Sequence, residues 1–227
     1  MQLQAILRAT LASAVLASAT VLASIASPEL DGAIPAAGAA SCPQVEVIFA
    51  RGRLESPGPG VLGNAFFNAL QAKLSKSVDL YAVKYPANTE VDIGANDMSQ
   101  RVQYMINNCP NTQLVLGGYS LGAAATDLVI AVPIAAFGFR NPLPPEAGNK
   151  VAAVVLFGNG SQWVGPIVSF NPAFANKTIE LCHGADPVCN PADPDTWQNN
   201  WPQHLAKAYL EAGMVNQAAN FAAGKLG

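Results

Sequence analysis

Gln113-Leu114-Val115-Leu116-Gly117-Gly118-Tyr119-Ser120-Leu121-Gly122 decides the fold. A short apolar run of strand length enters Gly-x-Ser-x-Gly directly, and Leu121 to Val132 leaves it as a helix. A turn of this kind is tight and strained, and Gly118 and Gly122 leave room for it. It lifts the Ser120 hydroxyl out at the carboxyl end of the strand, onto the start of the helix. A serine hydroxyl is a poor nucleophile until a base takes its proton. The reading therefore turns on whether the chain supplies a histidine and an acid in the right order.

Outward from the elbow, strands and helices alternate. Val45 to Ala50 is a short buried strand ending at Arg51-Gly52. Val61 to Ser75 has apolar residues at helical spacing (Leu62, Phe66, Ala69, Leu70, Leu74). Leu80 to Tyr85 is a second strand, closed by Pro86. Ile93 to Asn107 reads as a helix with Asp92 as its N-cap. Val151 to Phe157 and Thr178 to Cys182 are two further β-rich runs. Leu205 to Lys225 is an alanine-rich helix with a break expected at Gly213. The strands are apolar on both faces, which implies a parallel sheet between two helix layers. The expected fold is α/β: a three-layer α/β/α sandwich with a central parallel sheet of about five strands and about five helices. Residues 138–150 form an irregular Pro-rich loop that starts near the end of the elbow helix, on the side away from the sheet's carboxyl edge. A surface excursion and a role near the site are equally compatible with it.

The chain has 227 residues, 51% of them apolar and 12% charged, with a formal net charge of -3. That is enough for one substantial core and too little for two comfortable domains. Nothing in the charge draws the protein to nucleic acid or to an anionic surface. Arg8 is the lone early charge, and residues 9–26 are Ala, Leu, Val and Ile interleaved with Ser and Thr. Ala37-Gly38-Ala39, or an earlier point within Ala23 to Ala26, offers a cleavage site. Residues 1–40 therefore read as a secretory signal peptide and leader, and 41–227 as the folded domain of a secreted protein, extracellular or associated with the cell wall. A permanent membrane anchor fits less well, because the stretch is Ala/Ser-rich and only marginally long enough to span. Lipid attachment at Cys42 lacks the usual bulky aliphatic residue three positions earlier.

Four cysteines follow the leader: Cys42, Cys109, Cys182 and Cys189. An even count behind an export signal implies two disulfides. Three pairings are open. If Cys182 meets Cys189 it staples one loop, and Cys42 then closes a long loop with Cys109. Chain entropy sets upper values of about 2.5 kcal/mol for the short closure and about 4 kcal/mol for the long one. A zinc site fails on spacing, because no Cys-x-x-Cys pair exists.

A serine hydrolase on this topology runs Ser, then Asp or Glu, then His. The chain has two histidines. His183 precedes the best acid by three residues, inside the stapled loop, and reads as a surface loop residue. His204, just ahead of the last helix, is the candidate base, on a loop that can swing an imidazole over the sheet edge. The candidate acid is Asp186, in Cys182-His183-Gly184-Ala185-Asp186-Pro187-Val188-Cys189. It follows a strand directly, so it lies at the same edge as Ser120. A triad acid must hold one imidazole tautomer and stabilise the imidazolium, which requires fixed geometry. The rival acids Asp193 and Asp195 lie in a Pro/Asp loop and read as solvated. By itself Asp186 is as well explained as a turn residue before proline. Its place between Ser120 and His204 raises it above that.

These residues resemble the cutinase family, in particular the cutinase-like serine esterases secreted by mycobacteria. Four stretches carry the resemblance from Cys42 onward: Val47-Ile48-Phe49-Ala50-Arg51-Gly52, Gly117-Gly118-Tyr119-Ser120-Leu121-Gly122, the Cys182/Asp186/Cys189 spacing, and Asn200-Trp201 leading to His204-Leu205. The likeness implies a compact α/β-hydrolase fold with a five-stranded parallel sheet and no full lid. It also implies disulfides Cys42–Cys109 and Cys182–Cys189, and hydrolysis of carboxylic esters. Two positions depart from the family pattern. Leu121 stands where glutamine is common, but the oxyanion contact there is a backbone N–H, which leucine keeps. Arg53 stands where Ser or Thr usually follows Arg-Gly. It keeps the N–H and loses the hydroxyl, and a lost oxyanion donor costs roughly 2.7–4 kcal/mol in the transition state.

The implied chemistry needs no metal or organic cofactor. His204 takes the Ser120 proton, the oxygen attacks an ester carbonyl, and the N–H groups of Leu121 and Arg53 hold the oxyanion. Short to medium acyl or lipid-like esters are the expected substrates of a monomer in transient contact with a lipid–water interface. Val91, Ile93, Val188, Trp197 and Trp201 lie on loops near the active edge, where ordinary packing explains the tryptophans better than substrate contact. The rival functions are a thioesterase or acyltransferase with the same three residues, and a catalytically weak secreted lipid-binding protein, which Arg53 favours.

Overall fold

A computed structural model describes residues 42–136, 138–161, 171–190, 195 and 197–227. The expected signal peptide and leader, and Asp193, lie outside the described residues. Five strands, β1 Val45–Ala50, β2 Val78–Ala82, β3 Gln113–Tyr119, β4 Val151–Phe157 and β5 Thr178–Leu181, form one sheet in the order β2-β1-β3-β4-β5. All neighbouring pairs are parallel. The expected α/β/α sandwich with five parallel strands is therefore the architecture observed.

Parallel strands need crossover connections, and these are right-handed. The path from β1 to β2 runs one way along the sheet, and the paths to β3, β4 and β5 run the other. Helix α1 (Gly60–Gln71) accordingly lies on one face, and α2 (Val91–Asn108) and α3 (Leu121–Ala131) lie on the other. The last helices, α7 (Ala206–Glu211) and α8 (Met214–Leu226), return to the face of α1. The strands obey the period of two. Ile48, Leu116 and Leu156 point into the α2/α3 layer, while Phe49, Val115 and Phe157 point into the α1/α8 layer, all fully buried. Phe49, Phe66 and Phe157 meet there with ring centroids 6.3–6.5 Å apart. The direction of winding reverses at β1. The crevice between the carboxyl ends of β1 and β3 is thus the switch point at which open α/β sheets bind ligands.

Several local expectations shift. Helix α2 begins two residues early, so Asp92 is not its cap: Glu90 holds that position, without a side-chain bond, and Asp92 lies in the first turn. There its charge suits the positive end of the helix. Helix α1 ends at Gln71 rather than Ser75. The long C-terminal helix is parted at Gly213, which sits at φ 71°. Two single turns, α4 (Ala147–Lys150) and α5 (Pro172–Ala175), bring the helix count to eight among the described residues. The Pro-rich loop does not stay away from the carboxyl edge. Asn96 Nδ2 donates to the Gly138 carbonyl at 2.9 Å, and Arg140 N–H donates to Asn96 Oδ1 at 2.8 Å. Gly138 also lies against Asp92, so the loop climbs α2 back toward the end that follows β2.

The disulfides are Cys42–Cys109 and Cys182–Cys189, the pairing implied by the resemblance. The first ties the residue before Pro43 and β1 to the C-cap of α2. The second closes the loop that leaves β5.

One buried acid outside the crevice bears on stability. Asp127 of α3 accepts hydrogen bonds from Asn159 Nδ2 and Ser161 Oγ, while its Oδ1 has no partner among the described residues. Burial pushes its carboxyl up to about 6, against the pull of the Ser161 and Asn159 donors. A carboxyl raised in the folded state contributes its full stability below the unfolded value of 3.8, and that contribution is lost as pH rises through about 6. The loss is on the order of 3 kcal/mol. Urea unfolding at a series of pH values should show wild type losing stability relative to Asp127→Asn between about pH 4 and pH 7. A difference between the two proteins that does not change with pH would contradict this.

Candidate active site

Ser120 closes β3 and caps α3 at φ 55°, ψ -117°, a region that L residues seldom occupy. The surroundings hold it there. Ser120 N–H donates to the Phe157 carbonyl at 2.8 Å. The turn needs glycine on both sides. A Cβ on Gly118 would stand 2.2 Å from the Gly122 carbonyl oxygen, and one on Gly122 would stand 2.0 Å from that of Ala50. Strain at such a position persists only where the structure over-determines it. The expected elbow is therefore present, with its hydroxyl at the switch point.

Asp186 lies in the loop that leaves β5, closed by the Cys182–Cys189 disulfide. Its N–H donates to the His183 carbonyl, and its carbonyl accepts from Asn190 N–H, both at 2.9 Å. Val188 N–H donates to Oδ1 at 2.7 Å. His204 Nδ1 bonds Oδ2 at 2.7 Å, and the Tyr209 hydroxyl donates to the same oxygen. Burial alone pushes the Asp186 carboxyl up. The donors from His204, Tyr209 and Val188 together with the His204 charge prevail, and the group is held below the usual carboxylate range.

His204 sits at the end of a short helix, α6 (Trp197–His204), rather than in the expected loop ahead of a helix. Leu205 then takes an extended conformation before α7 begins. His204 is buried, with its ring between Tyr119 (5.4 Å between centroids) and Trp201 (5.0 Å). The Tyr119 hydroxyl donates to its backbone carbonyl. Its Nε2 lies 2.8 Å from Ser120 Oγ. The structure thus brings Ser120, Asp186 and His204, the first and last 84 residues apart in sequence, into one hydrogen-bonded row. His183 is half-buried against the Tyr209 ring, 5.8 Å between centroids, so it is not the surface residue expected. Asp195 is exposed.

The segment after β1 faces the same crevice. Leu121 N–H is among the first N–H groups of α3, which have no partner within the helix. Arg53 N–H finds no acceptor among the described residues, and its side chain is exposed. Its turn is braced by a residue that sequence reading missed. The Glu55 carboxylate accepts from Gly52 N–H at 2.6 Å and Val61 N–H at 2.8 Å. Arg51 Nε donates to the Glu55 carbonyl at 2.8 Å, and Arg51 Nη2 to the Tyr85 carbonyl at 2.7 Å. An acid six residues before Val61, in a loop of Pro and Gly, carried no signal for this.

Gly158 and Tyr209 were missed as well. Gly158 sits at φ 58°, and a Cβ there would come within 2.9 Å of Tyr209 Oη, 3.0 Å of His204 Cε1 and 3.1 Å of Asp186 Oδ2. The available signal was a glycine directly after a strand. Gly158→Val is expected to push the imidazole off line and lower kcat about a hundredfold. Ester hydrolysis by the purified variant checks this; a wild-type kcat would show that the close packing at Gly158 does not matter. Trp197 and Trp201 are 46% and 41% exposed and pack edge to face, with Trp201 also against the His204 ring.

The Cutinase family profile matches residues 41–226, and the chain belongs to that family. The chain is 61% identical over 215 residues to "Probable carboxylesterase Culp2" of Mycobacterium tuberculosis, covering 95% of this chain and 94% of that protein. It is 43% identical over 221 residues to "Phospholipase Culp4" of the same organism, covering 96% and 91%. Among solved structures it is similar to Trichoderma reesei cutinase in complex with a phosphonate inhibitor, with TM-score 0.61, 30% identity and coverage of 82% of this chain and 78% of that one. An acetyl xylan esterase shares the fold at TM-score 0.69, with 24% identity and coverage of 82% and 100%.

Proposed function

We propose that this protein is a secreted serine esterase that hydrolyses carboxylic esters of short to medium acyl chains. The observation that carries the reading is the row Ser120 Oγ–His204 Nε2, 2.8 Å, and His204 Nδ1–Asp186 Oδ2, 2.7 Å. Membership of the cutinase family and relatives named as carboxylesterases and a phospholipase support it. The two disulfides support export to an oxidising compartment.

In the proposed mechanism His204 Nε2 takes the proton of Ser120 as Oγ attacks the ester carbonyl. The carbonyl oxygen becomes an oxyanion and is held by the N–H groups of Leu121 and Arg53, which have no acceptor among the described residues and are free to donate. Asp186, kept ionised, fixes the tautomer and stabilises the imidazolium. His204 then returns the proton to the leaving alcohol. Water repeats the cycle on the acyl-enzyme and releases the acid. Arg53 supplies its backbone N–H, and its exposed side chain has no hydroxyl to add a second donor of the usual kind.

Exposed apolar groups flank the row. Leu54 is 80% exposed beside Arg53, and Trp197, Trp201 and Leu205 stand out from the segment that carries His204. This supports a lipid-like substrate met at an interface. The test is hydrolysis of p-nitrophenyl esters of increasing acyl length by the purified protein. The proposal expects kcat/KM to peak at short to medium chains, and no turnover at any length would overturn it.

A further inference from the structure

We propose that Tyr209 is a positioning residue for the esterase reaction, acting through Asp186 as a fourth member of the hydrogen-bonded row. The proposal rests on the esterase reading above. Tyr209 lies on α7, five residues beyond His204 and fully buried. Its hydroxyl donates to Asp186 Oδ2, the oxygen that also faces His204 Nδ1. Its own oxygen receives the His183 N–H at 3.4 Å, which turns the hydroxyl proton toward the carboxylate. The ring is gripped on three sides by Tyr119, Phe157 and His183, at centroid distances of 6.0, 6.1 and 5.8 Å. The phenol therefore cannot swing away, and Gly158 leaves the space that lets all three groups approach.

Two consequences follow from this arrangement. First, the carboxylate plane is fixed at both ends, by Val188 N–H on Oδ1 and by Tyr209 on Oδ2. Oδ2 thus points at the imidazole before substrate arrives. A carboxylate held by His204 alone on that side could rotate about its last bond. Second, a buried acid needs donors to stay ionised, and Tyr209 supplies one that cannot ionise itself: burial, then the Asp186 bond, push its phenol far above its ordinary value. The titratable groups around the pair are His204, His183 and Tyr119, each on a different element.

Tyr209→Phe removes one oxygen and keeps the ring packing. On p-nitrophenyl butyrate, kcat should fall about ten- to a hundredfold, the worth of a hydrogen bond to a buried charge, with KM little changed. The acid limb of the kcat profile, set by protonation of the His204 base, should move to higher pH, because an Asp186 carboxylate with one donor fewer holds the imidazolium more strongly. A double-mutant cycle separates this from a packing effect: if Tyr209 acts through Asp186, Tyr209→Phe has little further effect in the Asp186→Asn background. A full, additive loss in that background would overturn the proposal, as would a Tyr209→Phe protein with wild-type kcat and pH profile. Ser120→Ala keeps the two readings apart. If Ser120→Ala is inactive and Tyr209→Phe is unchanged, the positioning role alone fails. If Ser120→Ala retains full activity, the esterase reading fails and this inference with it.

Discussion

Ser120→Ala is expected to lower kcat on p-nitrophenyl butyrate by a factor on the order of 10⁴ or more. On the proposed mechanism the substitution removes the oxygen that forms the acyl-enzyme, and it leaves the rest of the crevice in place. Alanine has the same Cβ as serine, so the strained turn at φ 55° is neither relieved nor worsened. The glycines on either side and the bond from residue 120 N–H to the Phe157 carbonyl persist. Folding should therefore be intact by circular dichroism, and the small residual rate should reflect the remaining N–H donors. A variant that is folded and as active as wild type would place the nucleophile elsewhere.

Asp186→Asn should cost about 10⁴ in kcat, through the tautomer of His204. The Val188 N–H needs an acceptor at the Oδ1 position, which directs the amide oxygen there. The amide nitrogen then takes the Oδ2 position and presents hydrogens to both Tyr209 and His204 Nδ1. His204 can satisfy that donor only by moving its proton to Nε2, where it can no longer accept from Ser120. The wild-type carboxyl is held below its ordinary range, so its contribution to stability is present above the unfolded value of 3.8 and lost as pH falls through the folded value. Steady-state kinetics of the purified variant check the effect. Activity within tenfold of wild type would mean that Asp186 does not set the tautomer.

How much of this was legible in advance depended on whether the signal was local. Val45–Ala50 and Val151–Phe157 match the expected strands end to end, because a mostly apolar run buried on both faces reports its own limits. The second strand does not. It begins at Val78, before Asp79, because pairing with Val45 and Glu46 sets its start, and hydropathy does not. Helix α6 was invisible: Trp-Gln-Asn-Asn-Trp-Pro-Gln-His contains two poor helix formers in a row and an internal proline. The ring contacts of Trp201 with Trp197 and His204 accompany it, and such contacts leave no period in the sequence.

The same distinction applies to the site. Ser120, Asp186 and His204 could be found because chain order and the elbow constrain them. Glu55, Gly158 and Tyr209 could not, since each matters through a partner distant in sequence. A lone tyrosine in an alanine-rich helix looks like any core residue until its hydroxyl is seen on the Asp186 carboxylate. The half-exposure of Trp197 and Trp201 is of the same kind: residue type favours burial of Trp, and the fold leaves their helix at the surface.

The central claim is that the hydroxyl at the β3–α3 turn is the group acylated by substrate. Incubation with a p-nitrophenyl alkylphosphonate, followed by peptide mass spectrometry, tests it directly. One adduct per chain is expected, on Ser120, with p-nitrophenol release and loss of esterase activity in step. An adduct on another residue, or full modification of Ser120 with turnover undiminished, would contradict it.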